Sequence, residues 1–257
     1  MSLPARAWAG RLQGLVVPIV LVAAWQAGAV HLANPNALPT PVAVAARWWQ
    51  YLVSGELHRD AGASLYRVLL GFAIGAAMAL PVGLVMGASE RVYRLLDPLV
   101  QVLRPIPPIA YIPLAMLWFG LGNAPAVFLI VIGAFFPVLI NTIAGVRQVD
   151  VLYLRAARNL GAGPFTVFAR VMLPAATPYI LAGMRIGVGT AFIVVIVSEL
   201  IAVNSGLGYR IMEAREYFWT DKVLAGMLTI GFIGLAIDTI MTIVNRHLLR
   251  WHTSVSG

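Results

Sequence analysis

Six apolar stretches, each close to the length of a membrane-spanning helix, alternate with shorter polar segments along the chain. They comprise residues 14–32, 68–88, 98–121, 123–146, 175–203 and 223–245. Between the first two stretches, residues 42–53 resemble an interfacial helix, because Trp48, Trp49 and Tyr51 are residue types that favour the headgroup region. The pattern predicts an all-α integral membrane protein with six transmembrane helices.

The third stretch differs from an ordinary transmembrane helix because it contains five prolines and an arginine. So many prolines do not fit one straight helix. A broken backbone at membrane depth is tolerated only inside protein or beside a watery cavity, so this stretch is predicted to line a translocation pathway. Snorkelling of Arg104 to the inner headgroups is the alternative. The candidate pathway residues are Arg104, Pro105, Pro107, Pro108, Asn141 and Glu199.

Two opposite charges in the last two stretches are predicted to meet. Arg185 lies about 15 Å from the cytoplasmic end of its stretch, and Asp238 about 13 Å from the same side, at 1.5 Å per residue. Glu199 lies about 21 Å beyond Arg185, which is too far for a contact. We therefore expect Arg185 and Asp238 to form a buried ion pair with a structural role.

Composition supports a membrane protein, since 60% of the residues are hydrophobic and only 11% are charged. A soluble domain normally carries about a quarter charged residues. The net charge of +8 does not indicate a nucleic-acid partner, because the basic residues concentrate in a few segments between the apolar stretches. By the positive-inside rule, residues 1–13, 89–97, 147–174 and 246–257 are cytoplasmic, and so are both termini.

Several chemistries are excluded by residues that the sequence lacks. The absence of cysteine excludes disulfide scaffolds, thiolate metal sites and cysteine catalysis. The single lysine, Lys222, does not follow a glycine-rich phosphate-binding motif, so this chain has no ATP site of that type. Its four histidines are scattered and suggest no metal site. The sequence therefore offers no catalytic cluster that would suggest a membrane enzyme.

Residues 147–174 are predicted to form a helix–turn–helix, which is more structure than a plain connection needs. Leu152, Ala156 and Leu160 follow at four-residue spacing, so they share one face of the first helix. Gly161 and the following residues break that helix. A second short helix is predicted to begin at Pro164 and to close at Leu173-Pro174. Its apolar positions are Phe165, Phe168 and Met172. An interfacial loop held to anionic lipid by arginines is the alternative.

This segment resembles the cytoplasmic loop of permease subunits in ATP-binding-cassette importers. Ala156-Ala157, Gly161 and Leu173-Pro174 stand at the spacing of the family pattern. Val171 replaces an isoleucine of that pattern, and Arg155 replaces a glutamate. The stretch LRPIPPIAYIPLAMLWFGLG is similar to one branch of the family, the permeases for sulfonates, taurine, nitrate, cyanate or bicarbonate.

The resemblance implies the type I importer permease fold and a function. The chain would move a small anionic solute into the cytoplasm across the bacterial plasma membrane. A second copy would complete the pore, an extracytoplasmic binding protein would deliver the solute, and two ATPase subunits would bind ATP and Mg²⁺, leaving no cofactor in this chain. The ATPases would contact Leu152, Arg155, Ala156, Ala157, Leu160, Gly161, Leu173 and Pro174.

The same resemblance implies a division of the chain into three parts. Residues 1–59 would hold the first span and the interfacial segment, residues 60–246 the permease domain, and residues 247–257 a basic cytoplasmic tail. An ion-coupled secondary transporter or channel remains the alternative function. Such transporters often contain repeats with matching broken helices, whereas only one proline-broken stretch occurs here.

Overall fold

The computed structural model describes residues 3–249, with side chains from residue 16 onward. Every regular element in this part of the chain is helical. The α-helices are α1 Leu3–Leu32, α2 Pro41–Ser54, α3 Glu56–Ala88, α4 Glu90–Leu103, α5 Ile112–Phe119, α6 Asn123–Arg147, α7 Val151–Asn159, α8 Pro164–Val167, α9 Leu173–Glu199, α10 Leu207–Glu216 and α11 Thr220–Leu248. A 3₁₀ turn, Pro108–Tyr111, precedes α5, and a π-helical turn, Phe168–Met172, precedes α9. Most of the predicted basic tail lies outside the described residues.

The chain forms two compact units. The first contains the residues up to Arg59 together with Arg210–Ile230, and the second contains Asp60–Tyr209 and the residues from Gly231 onward. Residues 210–230 of the first unit lie within residues 60–246, the predicted permease domain.

Within the first unit, α2 packs through Val44 and Tyr51 against Ala225. Trp48 donates a hydrogen bond through Nε1 to Oγ1 of Thr229 at 3.0 Å. Burial raises the pKa of Tyr51 to about 12, against a smaller opposing effect of nearby arginine charges. Of the three aromatic side chains, Trp49 is the one that is mainly exposed. The predicted position at the headgroups therefore suits Trp49 better than Trp48 and Tyr51.

Four helices are long and apolar enough to cross a membrane. They are α3, α6, α11 and the continuous run Pro164–Glu199. Helix α4 and the segment Pro108–Phe119 would add a fifth span if the bent pair is counted as one. Val16–Leu32, the part of α1 whose side chains the structure describes, is a shorter apolar helix. Among the described residues, the structure therefore shows four such single helices, and the predicted number of six is not confirmed.

The proline-rich stretch is broken as predicted, and the break follows Leu103. Helix α4 runs from Glu90 through Pro98 to Leu103, and the chain then bends by 81° before the segment Pro108–Phe119. The sequence analysis assigned residues 89–97 to a cytoplasmic connection. They are helical because Ser89 caps the helix and an apolar face packs on α3 and α6. The packed residues of α4 are Val92, Tyr93, Leu96 and Val100.

Helix α6 lies at the centre of the second unit, and glycines allow its neighbours to approach closely. A Cβ atom on Gly75 of α3 would lie 2.8 Å from the carbonyl oxygen of Val131, and one on Gly183 of α9 would lie 2.6 Å from Cβ of Asn141. Small residues at four-residue spacing permit such backbone contact between membrane helices. The glycines of α3 that face α6 are Gly71, Gly75, Gly83 and Gly87.

The helix after the predicted turn does not end at Leu173-Pro174, and this prediction was wrong. Helix α8, the π turn and α9 follow one another without a gap, from Pro164 to Glu199. Pro174 comes directly after the π turn, where the α-helical hydrogen-bond ladder is already interrupted, so its missing N–H does not stop the helix.

Candidate functional site

A cavity of about 360 Å³ in the second unit lies between the bent segment, α6 and α9. Its polar lining residues are Arg104, Asn141 and Thr190. Asn141 donates through Nδ2 to the carbonyl oxygen of Pro137 at 2.8 Å, and the Thr190 hydroxyl donates to that of Ile186 at 2.9 Å. Arg104 is therefore the lining group with charge and several N–H donors to offer to a ligand.

The remaining walls of this cavity are apolar. Phe136, Ile140 and Ile186 contribute to them, together with Pro108. A guanidinium beside apolar walls suits a small solute with an anionic group and a short apolar part, because the cation can form charge-assisted hydrogen bonds to oxygens.

The structure brings together three of the six predicted pathway residues. Arg104, Pro108 and Asn141 line the cavity, whereas Pro105 and Pro107 belong to the exposed turn beside it. Glu199 does not line this cavity, contrary to its prediction as a pathway residue. Its side chain has no exposed surface.

Glu199 is enclosed by three hydrogen-bond donors. Arg67 Nη1 lies 2.6 Å from Oε1, the Ser64 hydroxyl 2.8 Å from Oε2 and the backbone N–H of Gly208 2.9 Å from Oε2. A Cβ atom on Gly206, which has a φ of +109°, would overlap the carboxylate. Glycine at this position therefore allows the loop backbone to lie directly against the acid.

Arg67, the partner of Glu199, was not among the predicted site residues, because it directly precedes the apolar stretch 68–88. In the structure Arg67 lies in α3 and is 3% exposed. Besides Glu199, it donates to Asn123 Oδ1 at 2.7 Å and to both the carbonyl and the hydroxyl oxygen of Ser205. Asp60, Ser64 and Arg67 fall at helical spacing, and this polar stripe is the signal that could have revealed the site.

Arg185 and Asp238 are in contact, with Arg185 Nη2 at 2.7 Å from Asp238 Oδ1 and a second bond from Nε at 2.9 Å. Their side chains are nevertheless 44% and 55% exposed. The predicted burial of this pair is therefore wrong for a single copy of the chain. The reason is that this part of α11 is largely uncovered, since Phe232, Leu235 and Ile240 are also more than half exposed.

The segment that was compared with the importer loop presents an apolar surface to its surroundings. Asp150 caps α7 by accepting a hydrogen bond from the N–H of Leu152 at 2.8 Å. Leu152 is 68% exposed and Leu160 is 88% exposed. Gly161, with a φ of +83°, forms the left-handed turn that ends the helix.

The other residues predicted to contact the ATPase fall on both sides of this turn. Arg155 and Ala156 are exposed on α7, and Ala157 accepts a hydrogen bond from the N–H of Ala162 at 3.0 Å. Leu173 and Pro174 lie in the first turn of α9. Among the described residues, no group of three histidine or acidic side chains is placed to hold a metal ion.

Comparisons with known proteins agree on one family. A model described as "Binding-protein-dependent transport system inner membrane component" matches residues 71–251. The chain is 40% identical to the putative aliphatic sulfonates transport permease protein SsuC of Bacillus subtilis, over 99% of this chain and 92% of that protein. It is 36% identical to the taurine transport system permease protein TauC of Escherichia coli, over 92% and 88%.

A third relative, the bicarbonate transport system permease protein CmpB of Synechococcus elongatus, is 33% identical over 95% of this chain and 92% of that protein. Among solved structures, an inward-facing form of the MetNI methionine ABC transporter matches with a TM-score of 0.64. That match covers 76% of this chain and 97% of the other at 20% identity, so it bears on the fold alone.

Proposed function

This chain belongs to the family of binding-protein-dependent transport system inner membrane components, and we propose that it is the permease subunit of an ATP-binding-cassette importer for a small oxyanion. The cavity that contains Arg104 is the observation that carries the choice of substrate. The solute would be an aliphatic sulfonate, taurine, nitrate or a bicarbonate-like anion. The relatives named for sulfonates, taurine and bicarbonate support this range.

ATP hydrolysis would take place in a partner subunit that contacts α7 and the turn after it. The exposed Leu152 and Leu160 support this contact, since exposed apolar side chains that cluster on one helix commonly mark a protein interface. The two copies of the ATPase would close on ATP and turn the pore outward through this segment. Arg155, in place of the family glutamate, leaves a cation on the surface that the ATPase would cover.

A second copy of the chain would complete the pore. Arg185 and Asp238 support this proposal, because both belong to apolar helices and are about half exposed within one copy. Charged groups at membrane depth normally face protein or a water-filled cavity rather than lipid. A second copy on this face would supply either environment.

The distribution of arginines supports the proposed orientation. With both termini in the cytoplasm of a bacterial cell, α7 faces the ATPase and the outer ends of α3 and α9 face a binding protein. The binding protein would hand the solute to the pore from outside.

Reconstitution tests this function directly. The chain, its ATPase and its binding protein would be purified together and placed in proteoliposomes with taurine, ethanesulfonate, nitrate or bicarbonate as probes. We expect uptake of at least one probe that requires ATP and stops when the ATPase carries a substitution that blocks hydrolysis. Uptake driven by an ion gradient in the absence of the ATPase would contradict the proposal and favour a secondary transporter.

A further inference from the structure

The last residue of α6 contacts the first turn of α4. Arg147 donates through Nη1 to Glu90 Oε2 at 2.9 Å, and its guanidinium carbon lies 4.1 Å from the centre of the Tyr93 ring. Glu90 also accepts a bond from Arg94 Nε at 2.9 Å. Nearby, a Cβ atom on Gly87 would lie 2.6 Å from Cβ of Val146, so the corner between α3 and α4 rests closely against the end of α6.

We call the contact of Arg147 with Glu90 and Tyr93 the joint, and the exposed residues from α7 to the turn before Pro164 the coupling segment. The joint lies directly before the coupling segment. Arg147 is the last residue of α6, and α7 begins at Val151. Any force that a partner applies to α7 must enter the membrane part of the chain either here or through the run that begins at Pro164. The joint is therefore one of the two places where a displacement of α7 can reach the membrane helices.

The other end of α4 adjoins the cavity. Helix α4 ends at Leu103, and the next residue, Arg104, lines the cavity. Fourteen residues of α-helix span about 20 Å, so α4 connects the joint to the cavity as one continuous helix, with Pro98 inside it. Ile106, in the turn that follows, also lines the cavity.

Directional contacts add to the apolar packing that holds α4 against its neighbours. Val92, Leu96 and Val100 pack on α3 and α6, but apolar contacts of this kind are non-directional and allow small shifts. The Arg147–Glu90 ion pair and the stacking of Arg147 on Tyr93 do have a preferred geometry. Contact with this one arginine therefore adds a directional link between α4 and the end of α6 to the close packing of Gly87 on Val146.

We propose that Arg147 and Glu90 are positioning residues that make α4 a lever, through which movement of the coupling segment displaces Arg104 and Ile106 at the cavity. The proposal rests on the proposed function, because it needs an ATPase to move α7. The pair would transmit this movement to the cavity and would not contact the solute.

The absence of cysteine in this chain permits a direct test with single cysteine reporters. One reporter, Ile106→Cys, lies at the end carried by α4, and the other, Thr190→Cys, lies on α9 in the same cavity. Each would be placed in the full complex with the ATPase and binding protein, in nanodiscs of phosphatidylethanolamine and phosphatidylglycerol. The rate of labelling by N-ethylmaleimide would be measured with and without ATP.

We expect ATP to change the labelling rate at both positions in the otherwise unaltered chain. Glu90→Gln should reduce the change at residue 106 by about two- to fivefold, the range that an exposed ion pair can supply, and leave the change at residue 190 nearly intact. Arg147→Gln should do the same, and the double variant should be no worse than either single one. Arg91→Gln is the matched control, because Arg91 is exposed on the same turn and makes neither contact.

Three results would overturn the lever. The first is an ATP-dependent change at residue 106 that stays intact in Glu90→Gln. The second is an equal reduction at both reporters in that variant. The third is a double variant in which the effects of the two single variants add. If ATP changes neither reporter in the otherwise unaltered chain, the coupled permease proposed above fails and the lever fails with it. Preserved ATP hydrolysis in every variant would show that the complex is assembled.

Discussion

Arg67 and Glu199 form the ion pair whose loss should matter most, because both side chains are almost fully removed from solvent. Moving an ion from water into such a place is unfavourable by several kcal/mol unless a partner and further donors compensate it. Here Ser64 and Gly208 supply those donors to the acid. The pair therefore ties the beginning of α3 to the end of α9 and to the loop that follows.

Alanine at either position should strongly destabilise the chain. Arg67→Ala and Glu199→Ala should each lower the free energy of unfolding by about 3–5 kcal/mol, since each strands one buried charge. The double variant should recover part of that loss. Arg94→Ala, which removes an arginine that is 78% exposed, should change stability by less than about 1 kcal/mol. The yield of monodisperse protein and its thermal denaturation in detergent would measure these effects.

Strictly additive losses for Arg67→Ala and Glu199→Ala would contradict this coupling. The sequence could not have paired the two residues, because they are separated by more than a hundred positions and Arg67 precedes the apolar stretch. Helix α3 begins at Glu56, before its apolar residues. Hydropathy alone assigns these first residues to a loop, so it does not reveal that Arg67 is part of the helix.

Arg104 is expected to act on the solute rather than on folding. Arg104→Gln should slow the uptake of an anionic solute by about ten- to a hundredfold, because a hydrogen bond to a charged group contributes about 1.5–3 kcal/mol. The amount of assembled complex should not fall, since the side chain is exposed to the cavity. Arg104→Lys is the control and should retain part of the rate. Unchanged uptake in the Gln variant would favour snorkelling to headgroups instead.

Among the elements, α3 provides a matched pair of glycines that differ only in what surrounds them. Gly75 faces backbone atoms of α6, whereas a Cβ atom on Gly62 would meet no heavy atom within 4 Å. Gly75→Ala should lower the melting temperature, because overpacking costs about 1–3 kcal/mol against a gain in helix propensity of about 1 kcal/mol. Gly62→Ala should leave the melting temperature unchanged or raise it. A higher melting temperature for Gly75→Ala would show that α3 and α6 can separate without loss.

The coupling segment offers a second matched pair. Gly161→Val should prevent ATPase assembly or uncouple it from uptake, because a β-branched residue is strained at a φ of +83°. Gly163 has a φ of −70° and an extended backbone, so Gly163→Val should be tolerated. Insertion into the membrane should be normal for both variants. Co-purification with the ATPase and ATP-dependent uptake would be measured, and normal uptake by Gly161→Val would refute the role of this turn.

The elements show where sequence patterns are informative. Apolar length correctly predicted an all-α membrane protein, and the turn at Gly161 followed from residue type. The prolines predicted a break but not its position, because Pro98 is accommodated inside α4 while the chain turns after Arg104. Pro174 gave a false helix end, since a π turn before it had already changed the hydrogen bonding. The effect of each proline depends on the packing and hydrogen bonding around it, which the sequence alone does not show.

At the scale of the whole molecule, one face of α9 is left uncovered within a single copy. Arg185 lies on that face, and Ile186 and Ile193 are more than half exposed there. Ala182 and Gly189 follow at helical spacing on the same side, which would permit close approach of another helix. The contact of Arg185 with Asp238 is also half exposed, which agrees with the proposal that a second copy covers this face in a membrane.

A single cysteine can locate that second copy, since the chain contains none of its own. In a two-fold symmetric pair the same patch meets itself, so a residue near the axis lies close to its own counterpart. Gly189→Cys should form a disulfide-linked dimer on mild oxidation in membranes, because a Cβ atom there meets no heavy atom within 4 Å in one copy. Met78→Cys, exposed on α3, should remain monomeric on a non-reducing gel. Cross-linking at residue 78 without cross-linking at residue 189 would place the second copy against α3 and leave the charges of α9 without the cover proposed here.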